Sequence, residues 1–286
     1  IGVNAKLGTG PYMVAELDES DGSFEKFHPN IAVLTNADWD HVNHYPTFET
    51  VLEAFTRFTT NPKEDGLLVM CGEDAGLGRI MAAGPLPRET VTYGWGMGWT
   101  WGAFNVKHRL GGGATFSISH NGVHIENLDL SVSGDHNILN ALAACAVANN
   151  LGIPFSTIKK TLREFKGAKR RLQHLGQRNG VDVFDDYGHH PREIAATLNA
   201  LRKMFPERRI TTVFQPHRYT RTRALYRDFA AVLSSSDSVF ILPIYQADEM
   251  PIEGVSSALI DEILNENGVL KSALCSSLED AASELD

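Results

Sequence analysis

The chain has 286 residues, 43% of them hydrophobic and 21% charged, and 26 Lys and Arg against 35 Asp and Glu give a net charge of -9. At about 150 residues per domain this suggests two domains with enough apolar material for a core in each, which argues against intrinsic disorder. The acidic balance argues against a nucleic-acid partner, because phosphate backbones require a cationic face.

Cys71, Cys145 and Cys275 form no C-x-x-C pair, so neither a disulfide framework nor a structural zinc site is expected. No apolar run approaches the ~20 residues of a membrane span, and no signal-peptide pattern opens the chain, so a soluble cytoplasmic protein is expected with no membrane insertion. The start at Ile1, in a Gly-rich stretch without Met, suggests a piece of something longer.

In chain order, the β-branched run Asn30 to Thr35 predicts a buried strand. Phe48, Val51, Leu52, Phe55 and Phe58 lie at helical spacing and predict a helix over 47–58. Gly66 to Cys71 predicts a second buried strand. From about Glu89 to Val132 the pattern changes: apolar and polar residues alternate on both sides of Asn121-Gly122, which predicts a β-hairpin with a type I′ turn. The glycines at 94, 96, 98 and 111–113 read as turns of a small antiparallel insertion rather than a phosphate loop, since no helix follows them directly. Asp135 to Ala148 predicts an Ala-rich helix, and Pro154 to Phe165 another with Pro at its start.

Beyond Ala168 the pattern is regular. Strands are expected at Val181 to Phe184, Ile210 to Phe214 and Val239 to Leu242, alternating with helices at Pro191 to Phe205, Arg223 to Leu233 and Ser256 to Asn265. This alternation predicts a Rossmann-like, doubly wound, mostly parallel sheet. The whole chain therefore reads as two α/β domains, 1–167 with the antiparallel insertion and 168–286, with a boundary near Gly167.

Ligands of open α/β sheets bind beyond the carboxyl ends of the strands. Here each such end is polar: Asn36 to His41, Asp185 to Pro191, Gln215 to Arg223, and Pro243 to Glu249. The segment Glu16 to Asp21 carries four carboxylates, which suit either a solvated loop or a Mg²⁺ site. Asp38, Asp40 and His41 are able to complete such a site, with zinc the competing metal because of the histidine. His189-His190 fits metal binding, an anionic substrate or helix capping. Arg218, Arg221 and Arg223 form a basic cluster able to converge on a carboxylate or phosphate. Lys169-Arg170-Arg171 reads either as an exposed basic linker or as part of a site at the domain junction.

Taken together, V-A-E-L-D-E-S-D-G-S (14–23), L-T-N-A-D-W-D-H (34–41), G-D-H-N-I-L-N-A-L-A-A (134–144), F-K-G-A-K-R-R-L (165–172), D-D-Y-G-H-H-P-R-E-I (185–194) and Q-P-H-R-Y-T-R-T-R (215–223) resemble the Mur ligase family. The last two segments are similar to its alanine-adding branch. The resemblance implies an ATP- and Mg²⁺-dependent ligase of cell-wall precursor synthesis. ATP phosphorylates the carboxylate of UDP-N-acetylmuramate, and L-alanine attacks the acyl phosphate. Carried over residue by residue, it implies Glu16 and His41 as Mg²⁺ ligands, Asn140 at adenine, Arg171 at ATP and Asp186 at the ribose. It implies His189, Arg218 and Arg221 around the amino acid and the acyl phosphate.

The sequence departs from the family by carrying no G-K-S or G-K-T to cradle the phosphates. The UDP-sugar domain and a final strand are also not recognisable, so the chain reads as an internal fragment. Two rivals remain: a non-catalytic nucleotide- and amino-acid-binding module, and a metallohydrolase built on Asp38, Asp40, His41, His189 and His190. The expected outcome for this chain supplied with ATP, UDP-N-acetylmuramate and L-alanine is no phosphate release above background, read by a colorimetric phosphate assay.

Overall fold

The computed structural model describes residues 5–87, 89–266 and 271–284. The opening expected at Ile1 to residue 4, and the last two residues, lie outside the described residues. The chain separates into two compact units, Ile1–Asp185 and Asp186–Asp286.

The first unit is built on a six-stranded sheet in the order β1-β2-β3-β4-β5-β6. These strands are β1 (Ile31–Leu34), β2 (Leu67–Cys71), β3 (Thr90–Trp95), β4 (Trp101–His108), β5 (Ala114–His120) and β6 (Val123–Leu130). The first four run parallel, and β5 and β6 add antiparallel. All five residues of β2 are buried, as befits a central parallel strand covered on both faces. Its covering helices include α1 (Phe48–Thr59), α2 (Ala75–Ala83) and α3 (Asp135–Asn150). Helix α1 starts at a Thr47 cap that accepts the Thr50 amide, and it buries Val51, Leu52, Phe55 and Phe58, the apolar stripe read from the sequence. Phe24 packs its ring on Phe55 and Phe58 at 5.2 and 5.1 Å.

The expected hairpin is present, with Asn121 and Gly122 at φ 51° and 76°, the positive pair a type I′ turn needs. It is not a separate layer: it extends the parallel sheet. Strands β3 and β4, where the sequence reading assigned only turns at glycines 94, 96 and 98, are parallel members of that sheet, and the hairpin joins β4 antiparallel. A parallel pair ordinarily needs a long crossover. Here only Tyr93 to Trp95 pairs with Trp101 to Ala103, so the link needs to step back along just the last part of β3. Gly72 and Gly94 are required by this link, because a Cβ on either would collide with the Trp99 indole. Those glycines therefore serve close packing.

After α4 (Phe155–Glu164) comes a two-stranded ribbon, β7 (Gln173–Arg178) and β8 (Val181–Asp185), paired antiparallel. This corrects the expectation that Val181 to Phe184 opens the parallel series. Val181 and Val183 are exposed, so the strand never enters a core. The signal was present: Asn179-Gly180 turns at φ 50° and 79°, the same dipeptide geometry as at 121–122.

The second unit holds a three-stranded parallel sheet in the order β11-β10-β9. Its elements are α5 (Pro191–Met204), β9 (Thr211–Phe214), α6 (Tyr219–Leu233), β10 (Ser238–Ile241), α7 (Ala258–Glu266), β11 (Lys271–Leu274) and α8 (Leu278–Ser283). Ile194, Leu198, Phe229, Leu233, Val239, Ile241 and Ile260 form its core. Helix α6 starts at Tyr219, four residues before the sequence reading placed it, so Arg218 is its cap residue and not part of its first turn. Among the described residues no helix is long and apolar enough to cross a membrane.

One brace in the first unit positions a polar loop. The buried Asp74 carboxylate accepts the Leu77 amide at 2.9 Å, capping α2, and the Ala37 amide at 3.0 Å, holding the loop after β1. Gly76 lets the two segments touch, since a Cβ there would collide with the Ala37 carbonyl. Asp74→Ala is expected to lower unit stability by about 1–3 kcal/mol, as two buried amides lose their acceptor. Gly76→Ala should cost about 1–3 kcal/mol by overpacking, whereas Gly78→Ala in the same helix, with open space around it, should gain up to about 1 kcal/mol. Urea unfolding midpoints of the three variants check this order.

Candidate active site

The polar segments after β1 and β9 sit at the carboxyl ends of parallel strands, as the sequence reading expects. In the first unit, Asp38, Asp40 and His41 follow the loop braced by Asp74. His41 is held at φ 51°, and its carbonyl accepts the Tyr45 amide at 2.9 Å. Tyr45 ties this turn to the acidic segment, its hydroxyl donating to the Glu19 carbonyl at 2.8 Å. Burial, with Glu25 and Glu19 nearby, pushes that hydroxyl's pKa up to about 12, so it stays a donor. The Trp39 indole in turn donates to the Tyr45 carbonyl at 3.0 Å.

The result is a convergence of Asp18, Glu19 and His41, with one ligand atom from each lying within 4.8 Å of the others. His41 Nε2 lies 3.4 Å from Glu19 Oε1. Hydrogen bonds from Ser20, hydroxyl and amide, hold the Asp18 carboxyl below its usual range, with His41 adding to the effect. Two carboxylates with an imidazole fit a divalent cation that keeps open positions for phosphate oxygens. His41 is thus where the sequence reading expects a metal ligand. Glu16, its expected companion, is exposed a turn earlier in the chain and outside this trio. Asp18 and Glu19 belong to the acidic run read as suiting a Mg²⁺ site, from which the family resemblance singled out only Glu16.

Asn140 is exposed on α3, just beyond the Asp135 to Asn137 turn. Arg171 is exposed between α4 and β7. Asp186 opens the loop after β8 and folds it by accepting the Gly188 amide at 2.7 Å. His190 has a structural part: it caps α5, its Nδ1 facing the Arg192 amide at 3.4 Å in a reciprocal box with Glu193. That capping, the helix-capping role weighed in the sequence, engages its Nδ1.

The second unit brings together three of the expected residues, His189, Arg218 and Arg221, around a fourth that the sequence reading did not assign, His217. The His189 and His217 rings are 5.9 Å apart, and Tyr245 stacks on His217 at 5.4 Å. Arg221 is 5% exposed and sends Nη1 to His217 Nδ1 at 3.2 Å. Burial first, then the charges of Arg221, His189 and Arg218, holds the His217 pKa below its usual 6.5. Arg218 sits at φ 73°, its amide bonded to the Tyr245 carbonyl at 2.8 Å. This strained conformation is maintained because the loop after β10 pairs alongside it. Arg223, by contrast, is exposed on α6.

Glu249, also unassigned from sequence, clamps the start of α6. Its carboxylate accepts the Thr220 amide at 3.0 Å and the Thr220 hydroxyl at 2.6 Å, and it lies 4.0 Å from Arg218 Nη1. Burial pushes its pKa up, but the bonds from Thr220 and the Arg218 charge outweigh that and hold it below 4.5. A carboxyl with a depressed folded pKa contributes stability above its unfolded pKa and loses it as pH falls through the folded value. Glu249→Gln is therefore expected to lower the unfolding midpoint at pH 7, with the difference from the parent shrinking once pH falls below the ordinary glutamate range and vanishing when the folded carboxyl is protonated. Urea titrations at successive pH values check it.

Comparison with known proteins identifies the family. Residues 5–148 match the Mur ligase middle domain, and residues 170–286 match the Mur ligase glutamate ligase domain. The chain is 44% identical over 274 residues to a UDP-N-acetylmuramate–L-alanine ligase of Desulforamulus reducens, covering 91% of this chain and 56% of that protein. It is 41% identical over 286 residues to one of Desulfatibacillum aliphaticivorans, covering 100% and 62%. Among solved structures, the UDP-N-acetylmuramate-alanine ligase MurC of Thermotoga maritima superposes with a TM-score of 0.73 at 27% identity, over 93% of this chain and 56% of that one. The chain thus spans 56–62% of the length of these two relatives. With both domains matched in order and more than 40% identity to relatives over at least nine-tenths of its length, the chain belongs to the Mur ligase family.

Proposed function

We propose that this chain carries the middle and amino-acid-binding parts of an ATP- and Mg²⁺-dependent, cytoplasmic ligase that joins L-alanine to the carboxylate of UDP-N-acetylmuramate in peptidoglycan precursor synthesis. The domain limits that go with this reading are 1–167 and 168–286. The observation that carries it is the His189, His217, Arg218 and Arg221 cluster at the carboxyl end of β9. It offers fixed cationic and imidazole groups to a small zwitterion. The 41–44% identity to proteins named as alanine-adding ligases supports the choice of substrate.

In this reading His41 binds Mg²⁺, with Glu16, Asp18 and Glu19 as the carboxylates available around it. The metal, when bound, neutralises charge on the phosphates during phosphoryl transfer. Asn140 reads the adenine, Arg171 reaches ATP and Asp186 holds the ribose. Arg218 holds the carboxylate of alanine while its amine is presented to the acyl phosphate, so catalysis is mainly positioning and charge neutralisation. The partners are small molecules, with no nucleic acid.

A chimera that places this chain behind the amino-terminal part of the Desulforamulus reducens ligase tests the reading. It is expected to form UDP-N-acetylmuramoyl-alanine and ADP, seen by mass spectrometry, only when ATP, Mg²⁺, UDP-N-acetylmuramate and L-alanine are all present. Arg218→Met should reduce that rate by about 100-fold or more, since a charge-assisted contact made to the reacting complex is worth a few kcal/mol. A folded chimera that releases phosphate without regard to alanine overturns the assignment.

A further inference from the structure

The hydrogen bonds around the two facing histidines of the second unit define their tautomers, and they differ. His217 Nδ1 is 3.2 Å from Arg221 Nη1. A guanidinium has only donors, so Nδ1 must be the acceptor, and the ring proton of neutral His217 resides on Nε2. The same guanidinium nitrogen lies 3.4 Å from the His217 carbonyl, which keeps the arginine head against this edge of the ring. His189 is oriented the opposite way. Its Nδ1 lies 3.1 Å from the Tyr187 carbonyl, which only accepts, and 3.7 Å from the Glu193 carboxylate. The proton of neutral His189 therefore resides on Nδ1, and its Nε2 is the acceptor. Glu193 is itself held by the His189 and His190 amides at 2.9 and 3.2 Å, so it cannot swing away without undoing the start of α5.

We propose that Arg221 and Glu193 are positioning residues that lock these histidines in opposite tautomers, so that the cluster reads an amino-acid zwitterion at both ends. His189 Nε2 accepts from the ammonium group, and His217 Nε2–H donates to the carboxylate. Arg218, at the cap of α6, adds the positive charge for that carboxylate. Arg221 then acts through His217 rather than by touching the ligand, in keeping with its 5% exposure. The surrounding charges agree. Arg221, His189 and Arg218 all disfavour a charged His217, and Glu249, the one group opposing them, is engaged by Thr220. Matching tautomers would present two donors or two acceptors and would fit one end of the zwitterion only.

The amino-acid part of this inference rests on the function proposed above, whereas the tautomers do not. The test is a long-range proton–nitrogen NMR spectrum of the whole chain, ¹⁵N-labelled in its histidine rings, recorded where both rings are neutral. His189→Gln and His217→Gln variants assign the two rings. The expected spectrum gives His217 a pyridine-like Nδ1 and a pyrrole-like Nε2, and His189 the reverse. Two rings with the same tautomer, or either ring averaging between both, overturn the proposal. Arg221→Met should release His217 alone, and Glu193→Gln should loosen His189 only in part, because the Tyr187 carbonyl still accepts from its Nδ1. If either variant fails to fold, the parent spectrum still decides. L-alanine is then added as the probe. Shifts at both Nε2 atoms are expected in the parent, and L-alanine should bind about tenfold more tightly to His217→Gln, whose amide nitrogen can replace Nε2, than to His217→Asn, as read at His189 Nε2. Opposite tautomers with no response to L-alanine would support the lock and overturn the alanine reading.

Discussion

A carboxylate placed at the start of a helix is the interaction on which the polar loops of both units depend. Asp74 caps α2 and holds the loop after β1, Glu193 caps α5 and holds the histidine pair, and Glu249 clamps the first turn of α6 and steadies Arg218. The physics is common to all three. The first amides of a helix have no intrahelical partner and carry partial positive charge, so an anion there is stabilised twice over. The bonded oxygens also reach a second segment, so the cap doubles as a brace. The side chains that carry the proposed chemistry, His41, His189 and Arg218, stand on the braced segments and not on the braces.

The two units solve one positional problem with different sheets. Parallel strands end on one edge, which gathers their following loops, but the loops are only as rigid as what ties them down. In the first unit a fully buried strand β2, the Asp74 brace and the Tyr45 hydroxyl do this. In the second, with three short strands, a loop pairing between His217 and Tyr245 prolongs the sheet past its formal end and keeps Arg218 at a positive φ. Strain of this kind persists only where neighbours over-determine the backbone, and the Tyr245 carbonyl and Glu249 provide that.

Much of the fold was legible. Helix α1 followed from its apolar stripe, β2 from its unbroken apolar run, and the 121–122 turn from Asn-Gly chemistry. What was misread has identifiable causes. Strand β3 is glycine-broken and β4 carries polar residues at alternate positions, so neither shows the run expected of a parallel strand. Strand β8 is apolar by composition yet exposed, because its only partner is β7, and the turn signal at Asn179-Gly180 was outweighed by the regular alternation that follows. At the candidate site, His41, His189, Arg218 and Arg221 were singled out from motif resemblance. His217 and Glu249 lie in the same polar segments but were not singled out, since nothing in their spacing tells which member of such a run faces its neighbours.

The amino-acid sequence by itself determined the class of the fold, the positions of most helices and the order of the polar segments, because periodicity, turn chemistry and helix starts are local properties of the chain. Tertiary structure alone decided which strands pair, which carboxylate braces which loop, and which groups face the two histidines of the second unit. Those depend on contacts between residues far apart in sequence, such as Asp74 with Ala37 and Glu249 with Thr220, and on burial that no local pattern encodes.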